Sequence, residues 1–114
     1  MIDFACKKFD IKEIIKCSLN LSKSDFSVMQ KLFVYKDFLS SKDISDKVDL
    51  DITTVQRTLK KLYEKGIVNR KQVNIDTGGY VYMYRIKSRE ELKYQITNII
   101  DKWSGTVKHE IEIW

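Results

Sequence analysis

A chain of 114 residues, 43% hydrophobic and 32% charged, has the size and balance of one globular domain, which excludes a disordered tail. No apolar run approaches the roughly 18–20 residues of a membrane span, and the N-terminal "MIDFACKKFD" lacks the basic start and apolar core of a secretion signal. A soluble, cytoplasmic protein with no membrane partner is the expectation. The net charge of +5 is localised: residues 51–87 carry 8 basic and 3 acidic side chains, while the segments before and after are near neutral. Such concentration suits a polyanionic partner. With two cysteines, one histidine and no CxxC or HxxxH spacing, no disulfide framework, metal or cofactor is expected. Cys6 and Cys17 are expected to be small buried residues.

There is no proline, so helix ends are read from caps and glycines. Asp10 can cap a first helix to about Leu19, with Ile11, Ile14, Ile15 and Leu19 on one side. "SKSD", Ser22 to Asp25, resembles a capping box and opens a second helix to about Phe38, carrying Phe26, Met29, Leu32, Phe33 and Lys36 at helical spacing. A short third helix runs from a cap at Ser40 or Ser41 to Val48. Asp49 follows at a tight turn, where a left-handed residue is wanted.

The fourth helix, "DITTVQRTLKKLYEKG", is capped by Asp51 and stopped by Gly66. Ile52, Val55, Leu59 and Leu62 form its apolar stripe. At about 100° per residue, the opposite arc holds Thr53, Gln56, Arg57, Lys60 and Glu64, flanked by Thr54 and Lys61. "IVNRKQVNI" and "YVYMYRI" then bracket "DTGG" and predict a hairpin with its tip at Asp76 to Gly79. "SREE", Ser88 to Glu91, is a capping box for a last helix. Its stripe is Leu92, Ile96, Ile99, Ile100, Trp103, Val107, Ile111 and Trp114, and Gly105 is a point where it can bend or split.

The predicted fold is mainly α with a small β-hairpin: a winged helix-turn-helix with a long C-terminal dimerisation helix. Residues 1–21 are an N-terminal helical segment and part of the dimer interface, 22–87 the winged unit, and 88–114 the dimerisation helix. A short helix and a tight turn brace the helix that follows so that its polar arc projects. A B-DNA major groove, about 12 Å wide, admits one helix.

The stretch "SSKDISDKVDLDITTVQRTLKKLYEKGIVNR" resembles the TrmB-like and MarR-like winged-helix transcription regulators, especially small archaeal ones. The shared marks are Ile44, Thr54–Val55, Arg57, Leu59 to Leu62 and Glu64 to Val68. Ser45 replaces the family's usual Ala and Asp49 its usual turn Gly. The resemblance implies a homodimer on a two-fold-related DNA operator. It names neither the operator, nor repression or activation, nor a small-molecule effector.

On this reading residues 51–65 are the recognition helix and residues 68–86 the wing on the flanking backbone. Thr53, Gln56 and Arg57 contact base edges, where Gln can pair with adenine and Arg with guanine. Ser40, Ser41, Lys42, Thr54, Lys60, Lys61, Arg70 and Lys71 contact the DNA backbone. Glu64 marks where the contact fades. The wing tip has an acid and no Arg or Lys, which argues against deep minor-groove insertion, while Tyr80, Tyr82 and Tyr84 are expected to pack on the domain. The C-terminal stripe is the dimer interface, which Ile2, Phe4, Ile11 and Ile15 can complete. No Ser/His/Asp set or Gly-rich phosphate cradle is present, so no enzyme is expected. The competing reading is a winged-helix module that binds proteins without touching DNA.

Overall fold

The computed structural model describes residues 1–114 as five helices and two small sheets. It is a winged helix-turn-helix with a long C-terminal helix. The chain divides into two compact units, a central one at Lys23–Lys87 and a terminal one built from Met1–Ser22 and Ser88–Trp114.

In the terminal unit the first nine residues form a hairpin that the sequence did not announce. Strands β1 (Ile2–Phe4) and β2 (Lys7–Phe9) pair antiparallel, Ile2 opposite Phe9. Ala5 turns the chain with φ 48°, a left-handed position usually left to Gly or Asn. Helix α1 (Ile11–Ser18) starts at Asp10, whose carboxylate accepts the Lys12 N–H at 2.9 Å. Both cysteines are exposed, against expectation. Cys6 lies in the hairpin turn, and Cys17 stands on α1, none of whose residues is buried.

The central unit starts with α2 (Lys23–Leu32), six residues shorter than predicted. The helical spacing continues through Phe33 and Lys36, but the chain tightens into three-residue turns: the Phe33, Val34 and Tyr35 N–H groups donate to the Gln30, Lys31 and Leu32 carbonyls. The helix is given up because the next residues enter a sheet. Strand β3 (Leu39–Ser40) pairs antiparallel with β5 (Tyr80–Ile86), Leu39 opposite Tyr84. Strand β4 (Val68–Asn74) pairs with the other edge of β5, giving the order β3-β5-β4.

Helices α3 (Ser41–Val48) and α4 (Ile52–Glu64) complete this unit. Ile44, Val48, Val55, Leu59 and Leu62 are buried with Val28, Met29 and Leu32 of α2 and with Ile67, Val68 and Tyr84. The predicted α4 stripe holds except at Ile52, which is 43% exposed in the first turn. The tyrosines are graded outward along β5: Tyr84 is buried, Tyr82 half-buried and Tyr80 exposed.

Helix α5 (Arg89–Glu112) begins at Ser88, whose hydroxyl accepts the Glu91 N–H at 3.1 Å. It is continuous through Gly105, where a Cβ would meet nothing within 4 Å, so no neighbour requires that glycine. Within its unit α5 packs on α1. No helix is long and apolar enough to cross a membrane.

Candidate nucleic-acid interface

The turn between α3 and α4 is fixed by short-range chemistry. Asp49 caps α3 in the left-handed region at φ 56°, ψ 48°, doing the work of a glycine with a residue that tolerates the strain. Ser45 takes two contacts across the turn. Its carbonyl accepts the Leu50 N–H at 3.3 Å, and its hydroxyl donates to the Leu50 carbonyl. An Ala at this position lacks the second of these contacts. Ser40 caps α3, its hydroxyl accepting the Asp43 N–H at 3.1 Å.

Asp51 then starts α4 in the same way, its carboxylate accepting the Thr54 N–H at 3.1 Å and the Thr54 hydroxyl at 2.6 Å. The side-chain bond from Thr54 is the main reason the Asp51 carboxyl is held below its ordinary range. The arc this cap aims outward is intact: Thr53, Gln56, Arg57 and Lys60 are all exposed, with Glu64 beyond them.

Two of the predicted backbone contacts are otherwise engaged. The Thr54 hydroxyl has given its hydrogen to Asp51, so it has none to donate to a phosphate. Lys61 points its Nζ to Asp25 Oδ2 at 2.8 Å, and Asp25, only 4% exposed, also accepts the Thr58 hydroxyl at 3.1 Å. This carboxylate bridges α2 to α4 and neutralises the Lys61 charge locally. Thr58 was absent from the predicted stripe because its role depends on a residue 33 positions away.

The base of the hairpin carries two cation–aromatic stacks. Residues paired across β4 and β5 share a sheet face, so Arg70 lies on one face with Tyr82 and Tyr84, and Lys71 on the other with Met83 and Arg85. The Arg70 guanidinium sits 3.9 Å from the Tyr63 ring centre and 4.0 Å from that of Tyr82. On the opposite face Lys71 and Arg85 flank the Phe38 ring at 4.5 and 4.4 Å. Tyr80 leans edge-on to Tyr82 at 5.2 Å, and a hydrogen bond between them raises the Tyr80 phenol above its usual value. The tip, Ile75 to Gly79, closes with Gly78 and Gly79 both at positive φ and holds no cation. Sequence reasoning missed Tyr63, Tyr82 and Phe38. The alternation that puts Arg70 and Tyr82 on one strand face was the available signal.

A profile of the DnaD N-terminal domain matches residues 10–107. The chain belongs to the DnaD N-terminal domain family. It is 43% identical to a solved structure described as a "Possible transcriptional regulator" from Methanosarcina mazei Go1, with a TM-score of 0.91 over 100% of this chain and 96% of that one. It is also 32% identical to the uncharacterized protein MJ1503 of Methanocaldococcus jannaschii, over 94% of this chain and 80% of the relative. Two more distant structures share the fold. A MarR family protein from Bacillus stearothermophilus gives a TM-score of 0.51 at 20% identity, covering 90% of this chain and 67% of that one. The S. aureus MepR–DNA complex gives 0.55 at 16% identity, covering 90% and 86%. The MarR side of the resemblance is thus a likeness of fold, and family membership lies with the DnaD N-terminal domains.

The uncovered end of α5 is a second surface. Leu92 is 3% exposed, so the start of the predicted stripe is already buried within the chain, and Ile96 and Ile99 are half-buried. From Ile100 the stripe is open: Trp103 is 64% and Ile111 62% exposed, with Val107 between them and Trp114 fully exposed. In the same unit Ile2, Phe4 and Ile11 are exposed as well.

Proposed function

We propose that this DnaD N-terminal domain is a sequence-specific regulator of transcription that binds double-stranded DNA as a homodimer. It is a binding protein and not an enzyme. The exposed arc of α4 carries the reading: Thr53, Gln56, Arg57 and Lys60 project from a helix braced at its N-terminus by a two-contact turn. The same segment holds the whole charge surplus of the chain. The MepR–DNA complex supports the reading at the level of the fold, since it is a winged helix of this kind with DNA bound. Alignment with the TrmB-like regulators belongs to this proposal too, resting on the residues from Ser40 to Arg70.

In this account α4 enters the major groove. Thr53, Gln56 and Arg57 meet base edges; Lys60, the α3 start at Ser40, Ser41 and Lys42, and Arg70 and Lys71 of the hairpin meet phosphates. Lys61 and Thr54 leave the contact set, for the reasons of geometry above. Ile100, Trp103, Val107, Ile111 and Trp114 bury one another across the dimer, removing apolar area from water at roughly 25 cal/mol per Å². Two recognition helices then meet half-sites about one helical turn apart.

Selection of bound fragments from sheared genomic DNA tests this and reveals the operator together. A small set of recurrent, two-fold-related sequences is expected; recovery of no fragment above background overturns the proposal. On the selected site, Arg57→Ala relaxes choice at one base position by about 1–3 kcal/mol, whereas Lys71→Ala weakens all sequences alike. Uniform loss for both variants contradicts the assignment of roles.

A further inference from the structure

We infer that Tyr63 and Tyr82 are positioning residues for DNA binding: they hold the Arg70 guanidinium between two rings and present its edge to a backbone phosphate beside α4. The inference rests on the proposed function and adds to it two residues that no contact with DNA would reveal.

The geometry carries it. Three elements converge on one group: Tyr63 from the last turn of α4, Arg70 from β4 and Tyr82 from β5. The guanidinium carbon lies over both rings, 3.9 and 4.0 Å from their centres, so the cation is engaged by two π systems at once. The rings can take its π faces but offer no acceptor to its N–H bonds, which lie in the guanidinium plane. Those donors are therefore left for a ligand with paired oxygens, and a phosphate matches their fork. A cation held only for structure is ordinarily matched by a carboxylate, as Lys61 is by Asp25; Arg70 is matched by rings alone.

The stack also removes the disadvantage of a long side chain. A free arginine loses rotamer freedom when it meets a phosphate, and one already clamped loses less. Because Tyr63 belongs to α4 itself, the clamp ties the phosphate contact to the recognition helix and fixes its register on the duplex. The wing then grips by its base rather than by its tip, in keeping with a tip that has Asp76 and no cation.

The test is an anisotropy titration of a labelled, mixed-sequence duplex with the full chain and its variants. Arg70→Ala weakens binding about tenfold and reduces the slope of log affinity against log salt by about one contact. Tyr63→Leu and Tyr82→Leu each weaken it by about three- to tenfold with the slope nearly unchanged, because the charge is still present. Tyr63→Phe and Tyr82→Phe, which keep the rings, bind as the wild type does. In an Arg70→Ala background the tyrosine changes add nothing. Tyr63 is partly exposed, so Tyr63→Leu reads the clamp with the fold intact, and thermal melting of each variant verifies that. Tyrosine losses that persist without Arg70, or leucine variants that bind like the wild type, overturn this inference while leaving DNA binding in place. A wild-type chain that binds no duplex overturns the proposed function with it.

Discussion

The two units carry the same kind of helix and treat it oppositely. In Lys23–Lys87, the stripe of α4 disappears from solvent after Ile52: Val55, Leu59 and Leu62 are fully covered, with Ile67 and Val68 closing over the helix end. In the terminal unit, the stripe of α5 is buried at Leu92 and then emerges, until Trp103, Ile111 and Trp114 stand in solvent. Both stripes repeat with the helical period, and both helices start from an oxygen-bearing cap, Asp51 or Ser88. Periodicity announces an amphipathic helix; it does not say whether the cover comes from the same chain. We propose that this difference divides the roles: the central unit covers its own stripe and reads DNA, and the terminal unit is completed by a second copy of the chain.

Substitutions should divide along that line. Leu59→Ala empties a fully buried site and is expected to cost about 2–5 kcal/mol of stability. In chemical denaturation, that loss should not depend on protein concentration. A small or concentration-dependent loss would break the claim that this unit stands by itself.

Ile111→Glu should act differently. It places a charge in the open stripe and is expected to raise the dimer dissociation constant by at least about tenfold, roughly 1.4 kcal/mol. Sedimentation should show a monomer against the dimer proposed for the wild type, and the melting temperature should lose its dependence on concentration. A wild type that sediments as a monomer at every concentration would remove the reason for the exposed tryptophans.

The smallest effect concerns the cap. The Asp51 carboxyl is held below its unfolded value of 3.8, chiefly by the Thr54 hydroxyl. The sign follows from linkage: a depressed folded pKa contributes stability above the unfolded value and loses it as the pH falls through the folded one. The difference in melting temperature between wild type and Asp51→Ala should therefore be present near neutrality and shrink on acidification below 3.8. A difference that grows in acid would contradict the cap geometry.

What the sequence disclosed was set by how local each feature is. The caps at Asp10, Ser40, Asp51 and Ser88, the left-handed Asp49 and the β4–β5 hairpin all depend on residues a few positions apart, and all were readable. The exposed arc of α4 was readable for the same reason. The end of α2 was not, because helical spacing runs on past Leu32 and only pairing with β5, over 40 residues later, draws Leu39 and Ser40 out of a helix. Strands of two or three residues are too short to show a period, which hid β1, β2 and β3. Thr58 and Lys61 acquire their roles from Asp25, and Arg70 from Tyr63 and Tyr82, so their environments existed only after folding.

The central claim is that the outward arc of α4 reads DNA, and one titration tests it most directly. Anisotropy of a labelled duplex carrying the selected site is measured for the wild type and for a Gln56→Ala, Arg57→Ala, Lys60→Ala variant across about 50 to 200 mM salt. The account predicts wild-type affinity falling by orders of magnitude over that range, and a triple variant that binds weakly and no longer distinguishes the site from a scrambled duplex. Salt-independent or absent wild-type binding, or a triple variant that keeps its preference for the site, would contradict it.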